Sequence, residues 1–196
     1  RVPIDDHTAA MAQIVLPAVL AMWEEEDDKM VVTQICTELS LTMKAVGPAV
    51  VVEYADDISR RLLEILEKKA LCQTVDFEDD DDAPDDDELA ELDSLLVCAA
   101  ADCVAALADV FGDAFGPTMD TFLPHIARYT KPTVAVSERA MAVGCLAEIA
   151  KGMGVAITKY ADVEPFLPAL LPVLRQALGD PATLLSDKSR QFLASL

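Results

Sequence analysis

A chain of 196 residues with 53% hydrophobic side chains can bury one good core or two small ones, which excludes polyelectrolyte disorder of the whole chain. Aromatics are only 5% while Ala, Leu and Val dominate, a composition that argues for closely packed helices over a sandwich or barrel, so the fold class is all-α. The 35 acids against 15 bases give a net charge of −20, a field that repels nucleic acid and anionic membrane and attracts cationic partners.

In chain order, the apolar spacing predicts a helix over 7–25 with Pro17 inside it, then one over 30–46 that Gly47 closes. Pro48 opens a long helix over 50–73. An acidic tract, "DFEDDDDAPDDDELAELD", runs from Asp76 to Asp93 and overlaps a helix over 89–111 that Gly112 closes. Pro117 leads into a helix over 118–130, Ser137 and Glu138 cap one over 138–153 that ends at Gly154, and Asp162 and Glu164 open one over 161–178. Ser186 and Asp187 mark the start of a last helix near 185. Pro124, Pro168 and Pro172, like Pro17, fall inside helices and should kink or interrupt them. The chain opens without Met and stops at Leu196 within a helical pattern, which reads as a segment of a longer protein.

The sequence repeats. "CVAALADVFG" (Cys103 to Gly112) aligns without a gap on "CLAEIAKGMG" (Cys145 to Gly154), an offset of 42 residues, and "FLPHIARY" at Phe122 matches "FLPALLPVL" at Phe166, an offset of 44. "YADDISRRLLEIL" at Tyr54 aligns with "YADVEPFLPALLPVL" at Tyr160. Gly47 and Gly112 are 65 residues apart, 23 more than one unit, so the acidic tract is an insertion, taken as 76–88, in an otherwise regular array. Two helices in about 40–47 residues is the period of HEAT or armadillo repeats, whose stacked helix pairs form an α-solenoid. The chain is therefore one HEAT-repeat array over 1–196.

Catalytic and cofactor motifs are missing. No phosphate-binding glycine loop, nucleophile elbow or zinc-protease motif occurs, and only His7 and His125 could serve a His-dependent site. Neither the Asp76 nor the Asp80 register of the tract fits a calcium loop. No enzyme, cofactor or metal site is expected. Cys36, Cys72, Cys98, Cys103 and Cys145 lack metal or redox spacing and sit in apolar helical contexts, as buried reduced thiols do. The longest apolar run without Gly or Pro, Leu95 to Ala101, falls short of the ~20 residues a membrane span needs.

An acidic run is ordinarily a solvated loop, but here its context differs. From residue 70 to 127 the chain has no Lys or Arg and holds 16 carboxylates, whereas the other 19 acids nearly balance the 15 bases. The cation-binding candidates are Asp79, Asp80, Asp81, Asp82, Asp85, Asp86, Asp87 and Glu88 in the tract. On the second helix of each unit they are Glu24, Glu25, Glu26, Asp56, Asp57, Glu64, Asp120 and Glu164. Trp23 or Tyr54 could cover the alkyl stem of a bound cation or take it on a ring face.

"LLEILEKKALCQ" leading into an acidic insertion, "ELDSLLVCAAADCVAALADVFGDAF", and above all "SERAMAVGCLAEI" at 137–149 resemble the importin-β (karyopherin-β) nuclear transport receptors over residues 30–180. The resemblance implies a HEAT solenoid that carries basic cargo such as histones and ribosomal proteins through the nuclear pore and shuttles between cytoplasm and nucleus. It also implies nuclear pore proteins as partners, with Ran-GTP releasing cargo mainly through repeats outside this stretch. A HEAT scaffold subunit whose acidic loop only solubilises is the alternative.

Overall fold

The structure is a computed structural model that describes residues 6–74 and 86–154. Among the described residues every regular element is helical and no strand occurs, so the chain is all-α. It divides into two compact units, Arg1–Ala106 and Leu107–Leu196, with the division inside one helix.

The first unit contains α1 (Asp6–Glu25), α2 (Lys29–Val46), α3 (Pro48–Val51), α4 (Ala55–Leu66), α5 (Leu71–Thr74) and most of α6 (Asp86–Phe111). α1 and α2 form a hairpin turned at 26–28. Asp28 caps α2, its Oδ1 accepting from the Met30 and Val31 amides at 2.7 and 3.2 Å, a capping signal that the reading from residue 30 missed. α2 buries Val32, Ile35, Cys36, Leu39, Met43 and Val46, the i, i+3, i+4, i+7 stripe that turns one helical face inward. α4 does the same with Ile58, Arg61, Leu62 and Ile65.

The single helix expected over 50–73 is three pieces. Residues 52–54 form a turn, and Lys68 takes the left-handed conformation at φ +59°. There the Lys69 amide reaches the Glu64 carbonyl at 2.8 Å and the Lys68 amide reaches Ile65 at 2.9 Å, the paired closure of a Schellman turn. Such a turn usually has Gly at its left-handed position; with Lys there, the stop left no trace in composition.

α6 is buried almost all round from Leu96 to Ala108, as a helix apolar on every face must be. Within Asp87–Thr130 the protein therefore has a helical stretch long and apolar enough to cross a membrane by length and composition. Counting only Leu95–Ala101 understated it, because Asp102 breaks the run without ending the helix. Two thirds of that stretch is buried inside the protein, which accounts for its apolarity. α6 runs in the same direction as α2: Lys29 pairs with Asp93 near the two starts, and Lys44 acts on the Cys103 thiol further along. Successive first helices of stacked repeats lie in this way.

The second unit holds the end of α6, a 3-10 turn over Gly112–Phe115, α7 (Gly116–Ala127), a 3-10 turn over Arg128–Thr130 and α8 (Val136–Met153). α7 and α8 pack as a hairpin that buries Met119, Phe122 and Ile126 of α7, Tyr129 of the turn after it, and Ala142, Val143, Leu146 and Ile149 of α8. Ser137 does not cap α8, since the helix already starts at Val136 and no side chain caps it; Glu138 does lie in its first turn. Pro17 and Pro124 remain inside α1 and α7, which continue through them. The elements expected over 161–178 and from 185, with Pro168, Pro172 and Glu164, lie outside the described residues.

Gly47, Gly112 and Gly154, aligned as repeat closers, all have positive φ, at 78°, 53° and 55°. Gly47 also has ψ 179°, a region essentially reserved for glycine. Gly47→Ala should cost about 1–3 kcal/mol and lower the melting temperature in a thermal scan; a variant as stable as the parent would show that the α2–α3 corner relaxes without strain.

Candidate functional site

Three of the carboxylates chosen from sequence converge in the first unit. Glu24 lies in the last turn of α1, while Asp57 and Glu64 are two turns apart on α4, and all three reach Arg60: Glu24 at 3.0 Å, Asp57 at 2.8 Å and Glu64 at 2.9 Å. Arg61 makes a second set of bonds beneath, at 2.6 Å to Glu24 and 3.2 Å to Asp57. The i, i+7 spacing of Asp57 and Glu64 thus puts them on one helix face. The sequence reading counted the acids and overlooked the two arginines between them, although i, i+3 and i, i+4 spacing was the available signal.

Trp23 corrects an expectation. It is buried, 5% exposed, and the Arg61 guanidinium lies over its ring at 5.8 Å, so its cation–π partner is internal. Tyr54 is half-buried at the start of α4. Asp56, Asp120 and Glu25 are exposed and Glu26 is half-buried. Glu26 accepts from the Asp28 amide at 3.1 Å.

The ion pairs set the charge states. The hydrogen bond from Arg60, followed by the Arg61 charge, holds the Glu24 carboxyl below its ordinary value. Burial pushes the Asp57 carboxyl up, but hydrogen bonds from Arg60 and Arg61 outweigh it and leave it lowered. Beside this cluster opens a cavity of about 140 Å³ that Trp23, Val32 and Leu71 line together with Glu24, Glu26, Arg60, Arg61 and Glu64.

The end of the acidic tract has a different role from its middle. Asp86, Asp87 and Glu88, assigned from sequence to the loop, open α6, where carboxylates complement the positive end of the helix dipole. Asp87 and Glu88 are exposed. Asp93 is drawn inward: it pairs with Lys29 at 3.1 Å and Lys68 at 3.1 Å and accepts from Gln73 Nε2 at 3.4 Å. Burial raises its carboxyl, but the bonds to Lys68 and Lys29 win and keep it lowered. Asp93 therefore ties α2, the α4–α5 turn and α6 together. Asp79, Asp80, Asp81, Asp82 and Asp85, with the registers considered for calcium, lie outside the described residues.

Cys36, Cys72, Cys103 and Cys145 are buried and Cys98 half-buried, all as free thiols. Burial pushes the Cys72 thiol up to about 11 and raises Cys36 and Cys103 as well, which disfavours the reactive thiolate. Among the described residues no group of His, Cys, Asp and Glu has metal-holding geometry.

No protein-family model matches the chain. It is similar to a probable importin subunit beta-4 of Schizosaccharomyces pombe, 32% identical over 166 residues, covering 82% of this chain and 16% of that protein. It is similar also to importin-4 of Homo sapiens, 31% identical over 181 residues, which cover 89% of this chain and 16% of the relative. The chain belongs to the importin-β family. Importin-4 of Mus musculus agrees, at 33% identity over 166 residues, 83% of this chain and 15% of that protein. This importin-β chain spans about a sixth of the length of the curated relatives it matches, and its all-α fold is that of a HEAT-repeat protein.

Proposed function

We propose that this chain is a cargo-binding segment of a nuclear import receptor and that it recognises Lys/Arg-rich proteins, such as histones and ribosomal proteins, by electrostatic attraction. The observation that carries the reading is the similarity to importin-4 proteins over more than four fifths of the chain; the base-free stretch from 70 to 127 supplies the attraction. The relatives' names denote importins and none denotes an enzyme. On this reading the receptor shuttles between cytoplasm and nucleus, meets nuclear pore proteins, and releases cargo to Ran-GTP through repeats other than these.

Two acidic surfaces have different parts in this. The 79–82 and 85 carboxylates act at a distance and raise the encounter rate; fixed carboxylates on helices hold a bound cation and slow its escape. Replacing Asp79, Asp80, Asp81, Asp82 and Asp85 by Asn should slow stopped-flow association with a Lys-rich peptide and flatten its salt dependence, since the Debye length falls from roughly 30 Å at 0.01 M to about 8 Å at 0.15 M salt. The substitutions must stop short of residue 86, because deleting through Asp93 would remove the first turns of α6 and the Lys29–Asp93–Lys68 link. Unchanged association would favour the scaffold reading, in which the tract only solubilises.

A further inference from the structure

The Glu24, Asp57 and Glu64 cluster holds a guanidinium that belongs to the protein itself. Arg60 is 47% exposed and contacts all three carboxylates, whereas Arg61 is 8% exposed, lies on Trp23 and is part of the core. The two arginines are neighbours in sequence but differ in what removing them would disturb. Exposed ion pairs contribute little individually, because two mobile side chains must be fixed against solvent screening. Arg60 is therefore the member of the cluster that another cation can displace.

A second observation points outward. Arg61 Nε is buried and has no hydrogen-bond partner, although a buried donor left unpaired is costly and uncommon. Arg61 lines the same cavity of about 140 Å³ as Arg60, Glu24 and Glu64. The cavity thus offers carboxylates to a cation, and the buried Arg61 N–H lacks an oxygen. One basic residue of a peptide presents both groups, an ammonium or guanidinium on its side chain and a carbonyl on its main chain, while the apolar lining of Val32, Leu71 and the Trp23 ring suits its alkyl stem.

We propose that Arg60 is a built-in stand-in for a Lys or Arg side chain of a bound peptide, and that cargo binds here by displacing it. The inference rests on the cargo-binding reading above and adds an autoinhibitory contact to it. Arg60 keeps the cluster close to neutral until a locally concentrated cation competes. The stand-in would raise selectivity for cargo with several clustered basic residues, because a lone cation faces an occupied seat.

The test measures the affinity of a fluorescent Lys/Arg-rich nonapeptide for the full chain by anisotropy at low salt. Arg60→Gln should tighten binding about five- to tenfold, the loss of a competitor worth a few exposed pairs. Lys151→Gln removes the same charge in the other unit, where Lys151 pairs with Glu148 in α8, and should tighten it less than twofold. Adding Glu64→Gln to Arg60→Gln should erase most of the gain. Arg60→Lys keeps a cation but cannot span three carboxylates, should give an intermediate gain, and decides the matter if Arg60→Gln melts before assay.

A gain from Arg60→Gln no larger than that from Lys151→Gln overturns the stand-in, even if the parent binds the peptide and the cargo reading stands. Binding by Arg60→Gln but not by the parent supports the stand-in and removes the cargo reading for the unmodified chain. No binding by either overturns both.

Discussion

Gly152→Ala should destabilise the chain while Gly144→Ala, the same substitution two turns earlier in α8, should stabilise it. A Cβ at Gly152 would stand 2.7 Å from the Asp109 amide nitrogen, 2.8 Å from the Ala108 carbonyl carbon and 2.9 Å from its oxygen. All three atoms are backbone of α6, so no rotamer change relieves the clash. α6 and α8 must separate by most of an ångström before carbon contacts return to about 3.5–4.0 Å, and the packing around Leu146, Ile149 and Met153 opens with them. Overpacking of this kind costs about 1–3 kcal/mol and occasionally more; the better helix propensity of Ala recovers about 1 kcal/mol at most. Gly144 has no atom within 4 Å of its ideal Cβ position, so there the propensity gain of up to about 1 kcal/mol stands alone. Opposite signs in thermal melts of the two variants are the expected result; equal shifts would mean that the α6–α8 crossing yields.

The contrast between these glycines marks what a sequence discloses. Gly47, Gly112 and Gly154 were legible because they recur at the repeat period and close helices whose apolar stripes end there. Gly152 is two residues from Gly154, and nothing in its neighbours says that another helix passes against it. Helix starts at Pro48 and Pro117 were equally legible, since proline at a first turn forfeits no hydrogen bond. The break after Leu66 was not, because the left-handed residue is Lys68, whose charge and length suggest helix.

Charge was legible in amount and not in use. The excess of acids between 70 and 127 is a count that any reading obtains, and Glu24, Asp57 and Glu64 do meet. What composition hid is that Arg60 and Arg61 lie among them and that Asp93, last in the tract, turns inward to two lysines. Ion pairs between helices depend on the angle at which the helices pack. Lys29 and Asp93 are 64 residues apart, and only the parallel course of α2 and α6 brings them together. The same packing explains why Trp23, the most prominent candidate for a cation–π contact with cargo, already has Arg61 over its ring.

Asp93→Asn should show what that inward turn contributes. The Asp93 side chain is 17% exposed and the Lys29 side chain 15%, so removing the carboxylate leaves a nearly buried ammonium without its counter-charge. Hydrogen bonds to charged groups contribute about 1.5–3 kcal/mol each; with the Lys68 side chain half-exposed to water, a loss of about 2–3 kcal/mol at neutral pH is expected. For a chain of this size that is roughly 5–10 °C in melting temperature. The loss should depend on pH in one direction. The Asp93 carboxyl is lowered from 3.8 in the folded chain, so the unfolded state takes up its proton first as pH falls, and stability declines with it. The full contribution is present above about pH 5, declines through pH 4, and is gone once the folded carboxyl is protonated as well. Glu24 and Asp57, both also lowered, steepen the same acid limb in parent and variant alike. Denaturant melts of the two proteins should therefore differ most near neutral pH and draw together as acid protonates the folded Asp93 carboxyl. A gap that persists into acid would mean that Asp93 acts through its shape and its bond to Gln73, and that its charge has no part in joining the helices.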